Sequence, residues 1–205
     1  MRFVALFYLT LSSVIAADGE TIRAFGHTWT VPIASDWKIE DGQVPVLHLA
    51  VPRPQTQPRR PKQFALAETP PWQNVTVSLE AKAPEGHFII VYAYRDESHF
   101  NYAHLSIDQA TKQPVHNGMF HVYGGDRVRI STENGPAALA SKDEWYKVQL
   151  THDAKTGIAG VTINGKALAV FEAVDLSLGP GRIGLGSFFN TAAFRNVKIT
   201  GTPAK

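Results

Sequence analysis

The chain has 205 residues, 20 basic and 18 acidic, with no cysteine and a formal charge of +2. That balance offers neither a nucleic acid nor an anionic membrane surface a field to follow, and the missing thiols exclude a disulfide framework, thiol chemistry and cysteine-ligated zinc. Stability must come from buried apolar surface, and the length suits one domain with a proper core.

In chain order, the first feature is Arg2, an apolar run over 3–11 and small residues from Ser12 to Ala17, all ahead of Asp18. This is the order of a secretory signal peptide. The run is shorter than the ~20 residues a bilayer span needs. The expectation is therefore a signal peptide at 1–17, one domain at 18–205, an exported (periplasmic or extracellular) protein, and no membrane insertion after cleavage. Between 18 and 69 the pattern is irregular. Trp29, Trp37, Ile39, Val46, Leu47 and Leu49 predict edge strands, and Arg53, Arg59, Arg60 and Lys62 interleave with Pro52, Pro54, Pro58 and Pro61 in what reads as a stiff, solvated loop.

From Asn74 onward, short β-branched and aromatic segments alternate with Gly, Pro, Asn and Asp clusters. Strands are predicted at 73–81, 87–95, 102–107, 119–123, 128–131, 146–152, 160–163, 167–172, 182–187 and 195–201. Tyr146, Val148 and Leu150 alternate with Lys147, Gln149 and Thr151, the pattern of a strand wet on one face. Asn164-Gly165 tolerates the positive φ of a type I′ hairpin, and Gly124-Gly125 separates another strand pair. The fold class is all-β, a two-sheet antiparallel sandwich.

The hairpin over 87–107 carries the candidate site. Pairing Arg95 with Phe100 puts Phe88, Ile90, Tyr92, Tyr94, Asn101, Ala103, Leu105 and Ile107 on one face, which reads as core. The other face holds Ile89, Val91, Ala93, Arg95, Phe100, Tyr102, His104 and Ser106. A cation, a phenol and an imidazole on apolar ground suit a sugar, whose C–H faces stack on rings while Arg and His bond its hydroxyls. Arg95, Tyr102 and His104 are the candidate ligand-binding residues, with His121 and Tyr123 joining from a neighbouring strand. The alternative is a solvated sheet face that Tyr102 and His104 merely cover.

Other patterns lead nowhere. Gly179-Pro180-Gly181-Arg182-Ile183-Gly184 matches a dinucleotide fingerprint without its βαβ surroundings. The histidines form no H-x-H or H-E-x-x-H, and His116 and His121 are spaced to face opposite ways, so no metal site and no cofactor is predicted. Among Asp96, Glu97, Asp108, Glu133, Asp143 and Glu144 no carboxylate pair of a glycosidase is recognisable.

Several phrases carry a resemblance when taken together: Asp36-Trp37-Lys38-Ile39-Glu40-Asp41-Gly42; Tyr94-Arg95-Asp96-Glu97-Ser98-His99-Phe100-Asn101-Tyr102; Glu144-Trp145-Tyr146-Lys147-Val148; Ile163-Asn164-Gly165-Lys166; and Gly181-Arg182-Ile183-Gly184-Leu185-Gly186-Ser187 leading to Ala193-Phe194-Arg195-Asn196-Val197. In this order they resemble the concanavalin-A-like lectin/glucanase superfamily, within it the 3-keto-disaccharide hydrolase-type and laminin-G-like secreted domains. The resemblance implies a jelly-roll sandwich and a carbohydrate (oligo- or polysaccharide) partner. It leads to a secreted carbohydrate-binding or carbohydrate-associated domain. The alternatives are a glycosidase acting on 3-keto-disaccharides, a polysaccharide lyase, and a laminin-G-like protein-interaction module. Arg195 stands where such domains often carry an aspartate, which argues against a family calcium site, and the acidic motif of the glucanase branch is absent.

Overall fold

The computed structural model describes residues 19–108, 116–132 and 136–205. The expected signal peptide at 1–17 and Glu133 lie outside the described residues. The strands are β1 (Glu20–Ala24), β2 (His27–Val31), β3 (Trp37–Glu40), β4 (Val46–Leu49), β5 (Gln63–Ala67), β6 (Trp72–Lys82), β7 (His87–Asp96), β8 (His99–Ser106), β9 (Gly118–Tyr123), β10 (Arg127–Arg129), β11 (Tyr146–Asp153), β12 (Ile158–Ile163), β13 (Lys166–Val174), β14 (Arg182–Ser187) and β15 (Ala192–Pro203). The helical structure among the described residues is one 3-10 turn, Ala34–Asp36, and among those residues no helix is long and apolar enough to cross a membrane.

Among the described residues two antiparallel sheets form, eight-stranded in the order β1-β2-β5-β14-β7-β8-β9-β10 and seven-stranded in the order β13-β12-β11-β6-β15-β4-β3. Strand alternation explains why they stack. In β11 the side chains of Tyr146, Val148, Leu150 and His152 are buried while Lys147, Gln149 and Thr151 are exposed. Together with Val77 and Leu79 of β6 and Phe194 of β15, Tyr146, Val148 and Leu150 meet Phe88, Ile90 and Tyr92 of β7 and Leu105 of β8 between the sheets. Burying each such side chain contributes about 1.5–3 kcal/mol.

The expected edge strands do lie at the margins, β1 and β2 on one sheet and β3 and β4 on the other. Asn164 and Gly165 take φ of 50° and 77°, as the hairpin turn requires. The Gly124-Gly125 connection is longer than a two-residue turn, because Val122 pairs with Arg127. Strand β5 was not anticipated. All of its residues are buried, so Gln63-Phe64-Ala65-Leu66-Ala67 shows no alternation to read.

The β7–β8 hairpin corrects the expected register. Asp96 pairs with His99 at the turn, in the phase that an Arg95–Phe100 pairing implies, but extra residues on β7 then shift the ladder so that Val91 faces Tyr102. Ala93 adopts a φ of 50° at this bulge and joins the inter-sheet core, while Tyr94 crosses to the opposite face. Such a φ is rare for a residue with a Cβ. Gly181 packs so closely behind it that a Cβ there would stand 2.2 Å from the Ala93 carbonyl carbon.

Candidate functional site

The face of the eight-stranded sheet turned away from its partner is lined with aromatic side chains. Phe64, Leu66, Ile89, Val91, Phe100, Tyr102, Phe120, Val122 and Phe188 make a second apolar cluster. Cross-strand pairing builds it: Val91 faces Tyr102, Tyr102 faces Phe120, and Phe120 faces Arg129. The Tyr102 and Phe120 rings stack at 5.3 Å. Arg127 roofs the cluster, its guanidinium carbon 4.7 Å from the Phe120 ring centre and 4.6 Å from that of Phe188.

A polar chain runs through this apolar ground. Arg127 Nη1 donates to the Tyr102 hydroxyl at 3.1 Å and meets His104 Nδ1 at 3.3 Å. His104 Nε2 is 3.2 Å from His87 Nδ1, and His87 Nε2 is 3.1 Å from Asp108 Oδ2. His116 Nδ1 approaches the same oxygen at 2.8 Å. A guanidinium only donates, so His104 Nδ1 accepts, its Nε2–H donates to His87 Nδ1, and the His87 Nε2–H donates to Asp108. The protons are ordered in one direction from Arg127 to the carboxylate.

Burial sets the electrostatics. It pushes the His87 imidazole down to about 4 against the pull of Asp108, and holds His104 well below the usual histidine range, with the Arg127 charge adding to the effect. His116 is lowered by burial too, although its hydrogen bond to Asp108 opposes this. All three imidazoles are neutral at pH 7. Burial pushes the Tyr102 phenol up to about 12, partly offset by Arg127. Solvent reaches the chain at one end: the side chains of His87, His116 and Asp108 are 11, 10 and 27 % exposed, whereas His104 is 1 % and Tyr102 0 % exposed. At the border of the same face, Arg53, Arg60, Lys62, Gln63 and Phe188 line a cavity of about 170 Å³.

Of the five residues expected to bind ligand, the structure brings Tyr102 and His104 together on the expected face, buried beneath Arg127 and Phe188. Arg95 is not with them; the bulge sends Tyr94 to that face, against Phe64 and Phe100, and leaves Arg95 exposed at the hairpin end. The cation over Tyr94 is Arg182, at 5.4 Å. His121 pairs with Asn101, whose other partner is Tyr92, so it points to the inter-sheet side. There its Nδ1–H meets Asn101 Oδ1 and Asp175 Oδ2, each at 2.9 Å. Tyr123 stacks on His121 and is 60 % exposed. These two residues therefore form a separate group.

The sequence reading missed His87, Asp108, His116, Phe120, Arg127 and Phe188. His87 was legible, since it extends the alternation of Ile89 and Val91 backward by two. Asp108 and His116 sit outside strands, where no periodicity marks them. Arg195, at the position of the expected aspartate, bonds Glu80 at 2.6 Å and lies 4.2 Å over the Trp145 ring.

Among known structures, the carbohydrate binding module CBM66 from Bacillus subtilis superposes with a TM-score of 0.55 at 16 % identity, over 81 % of this chain and 96 % of that one. A putative glycosyl hydrolase from Parabacteroides distasonis gives 0.53 at 17 % identity, over 80 % and 89 %. These likenesses agree with the expected concanavalin-A-like jelly-roll sandwich. No curated protein sequence matches the chain. The sequence pattern of 3-keto-alpha-glucoside-1,2-lyase-like domains matches residues 14–200, which also agrees with the resemblance read from the ordered phrases. The chain therefore belongs to the family of 3-keto-alpha-glucoside-1,2-lyase-like domains.

Proposed function

We propose that the chain is an exported carbohydrate-associated domain that takes a 3-keto glucoside at the open end of the aromatic face and eliminates across its C1–C2 bond. A ketone at C3 acidifies the C2 hydrogen. A base removes that proton, its electron pair forms the C1–C2 double bond, the C1–O bond breaks, and the departing oxygen takes a proton. Such a reaction needs a proton acceptor and a positive group beside the developing enolate. The Asp108 end of the polar chain supplies the first, and the Arg127 charge at the far end acts on it through the His104 and His87 imidazoles.

One observation carries this reading: three imidazoles, a carboxylate and a guanidinium are hydrogen-bonded in series on an otherwise apolar sheet face. Interlinked titratable groups that burial perturbs cluster at functional sites. The product would conjugate C1=C2 with the C3 ketone and absorb in the near ultraviolet. The expected result is growth of that absorbance with release of the leaving alcohol, lost in Asp108→Asn. Calorimetric binding of 3-keto glucosides with no absorbance change would reassign the domain as a binding module, and the absence of both binding and absorbance change would overturn the proposal. Export rests on the residue order over 1–17. Recovery of the chain outside the cytoplasm with those residues removed is expected, and retention of an intact N-terminus would refute it.

A further inference from the structure

We propose that His87, Asp108 and His116 form a three-ligand site for a divalent first-row transition ion of the zinc class, with a fourth position open to solvent. This is independent of the carbohydrate reading, because the ion itself is the readout. One ligand atom from each residue lies within 4.8 Å of the others. Asp108 Oδ2 stands 3.1 Å from His87 Nε2 and 2.8 Å from His116 Nδ1. Ligands at ~2.0–2.1 Å around a tetrahedral ion are about 3.3 Å apart, so each Asp108 distance opens by a few tenths of an ångström to seat one, while the two imidazole nitrogens already lie within 4.8 Å of each other. Two imidazoles and one carboxylate select a zinc-like ion over calcium or magnesium, which prefer all-oxygen shells.

The ligands are held before any ion arrives. The Asp108 N–H donates to Ser106 Oγ at 3.1 Å, and Asn117 Nδ2 donates to the Asp108 carbonyl at 2.7 Å. Asn117 Oδ1 in turn accepts the N–H groups of Ser106 and Ala138. One buried amide thus ties together the end of β8, the Asp108 backbone and the chain beside His116. His104 completes the arrangement from behind, at 3.2 Å from the nitrogen of His87 that faces away from Asp108. A partner there is what orients a metal-bound imidazole.

Arg127 makes the site conditional. The proton order that Arg127 imposes leaves a hydrogen on His87 Nε2, the nitrogen an ion needs. Seating the ion moves that imidazole's proton to Nδ1, where it donates to His104 Nε2; His104 then carries its proton on Nδ1, facing Arg127 Nη1 at 3.3 Å. The ion and the Arg127–His104 contact are mutually exclusive. A bound ion frees Arg127, and removing Arg127 strengthens the site.

The test is titration of chelator-washed protein with Zn²⁺ against a chromophoric chelator, alongside imidazole ¹H–¹⁵N spectra of the unaltered chain. The expected result is one ion per chain, with the His87 Nε2 and His116 Nδ1 resonances moving together. Asp108→Asn and His116→Ala abolish the one-to-one complex, His104→Phe weakens it by about 10–100-fold, and Arg127→Met tightens it. A chain that takes up no stoichiometric Zn²⁺ would overturn the proposal. So would an ion that leaves those nitrogen resonances unmoved, a result that stands even where a variant fails to fold.

Discussion

Replacing Arg127 with methionine removes the group that joins the polar chain to the aromatic face while keeping most of its apolar contact. Two hydrogen bonds from a charged donor are lost, to Tyr102 and His104, each worth about 1.5–3 kcal/mol before compensation. The cation–π contacts with Phe120 and Phe188 add about 0.5–1 kcal/mol apiece. Against this, methionine has no charge to desolvate, and taking a charge out of water costs several kcal/mol. A net loss of about 2–3 kcal/mol follows, or a melting temperature lower by about 5–10 °C for a domain of this size. Differential scanning calorimetry of Arg127→Met and Arg127→Lys measures it. Lysine keeps the charge but loses the planar fork, and should fall between methionine and the parent. A melting temperature unchanged within about 2 °C in Arg127→Met would show that desolvation cancels the bonds, and that Arg127 does not hold this face together.

Other perturbations test separate parts of the structure. The hydrogen bond from Arg53 holds the Asp36 carboxyl below its ordinary value, with Gln63 assisting. Its stabilising contribution is therefore complete above the unfolded carboxylate range and lost as pH falls through the lowered value. Melting curves from pH 7 to pH 3 should show a shallower acid decline in Asp36→Asn than in the parent, and parallel curves would refute the pairing. A Cβ on Gly186 would lie 2.1 Å from the Gln63 carbonyl oxygen. Gly186→Ala should then pry β14 from β5 and lower the urea midpoint by an amount equivalent to about 1–3 kcal/mol. Arg95→Ala should leave stability within about 0.5 kcal/mol and leave glycoside turnover unchanged, since Arg95 is exposed and away from Tyr102 and His104. A large loss of activity there would restore the register first read from the sequence.

What could be read in the sequence follows from how each signal arises. Strands wet on one face, such as β11, announce themselves by alternation, and turns such as Asn164-Gly165 by their tolerance of positive φ. Strand β5, buried on both faces, has neither mark. The bulge at Ala93 was invisible because nothing in Tyr92-Ala93-Tyr94 requires a positive φ; the close approach of Gly181, distant in sequence, accommodates it. The histidine cluster escaped motif reading for a related reason. His87 comes from β7, His104 from β8, and His116 from the chain ahead of β9, so their proximity is a product of sheet pairing and not of spacing.

Strand β15 lies between β6 and β4, pairing with both. The last of the described strands in chain order is thus the one that joins the two halves of its sheet. While it is missing, β6 lacks a neighbour on that side and β3–β4 is a hairpin with no sheet to join, so closure of the sandwich waits on contacts spanning most of the chain. During synthesis the sandwich remains open until β15 has emerged, and loss of that strand would expose two raw strand edges, on β6 and β4, to other chains.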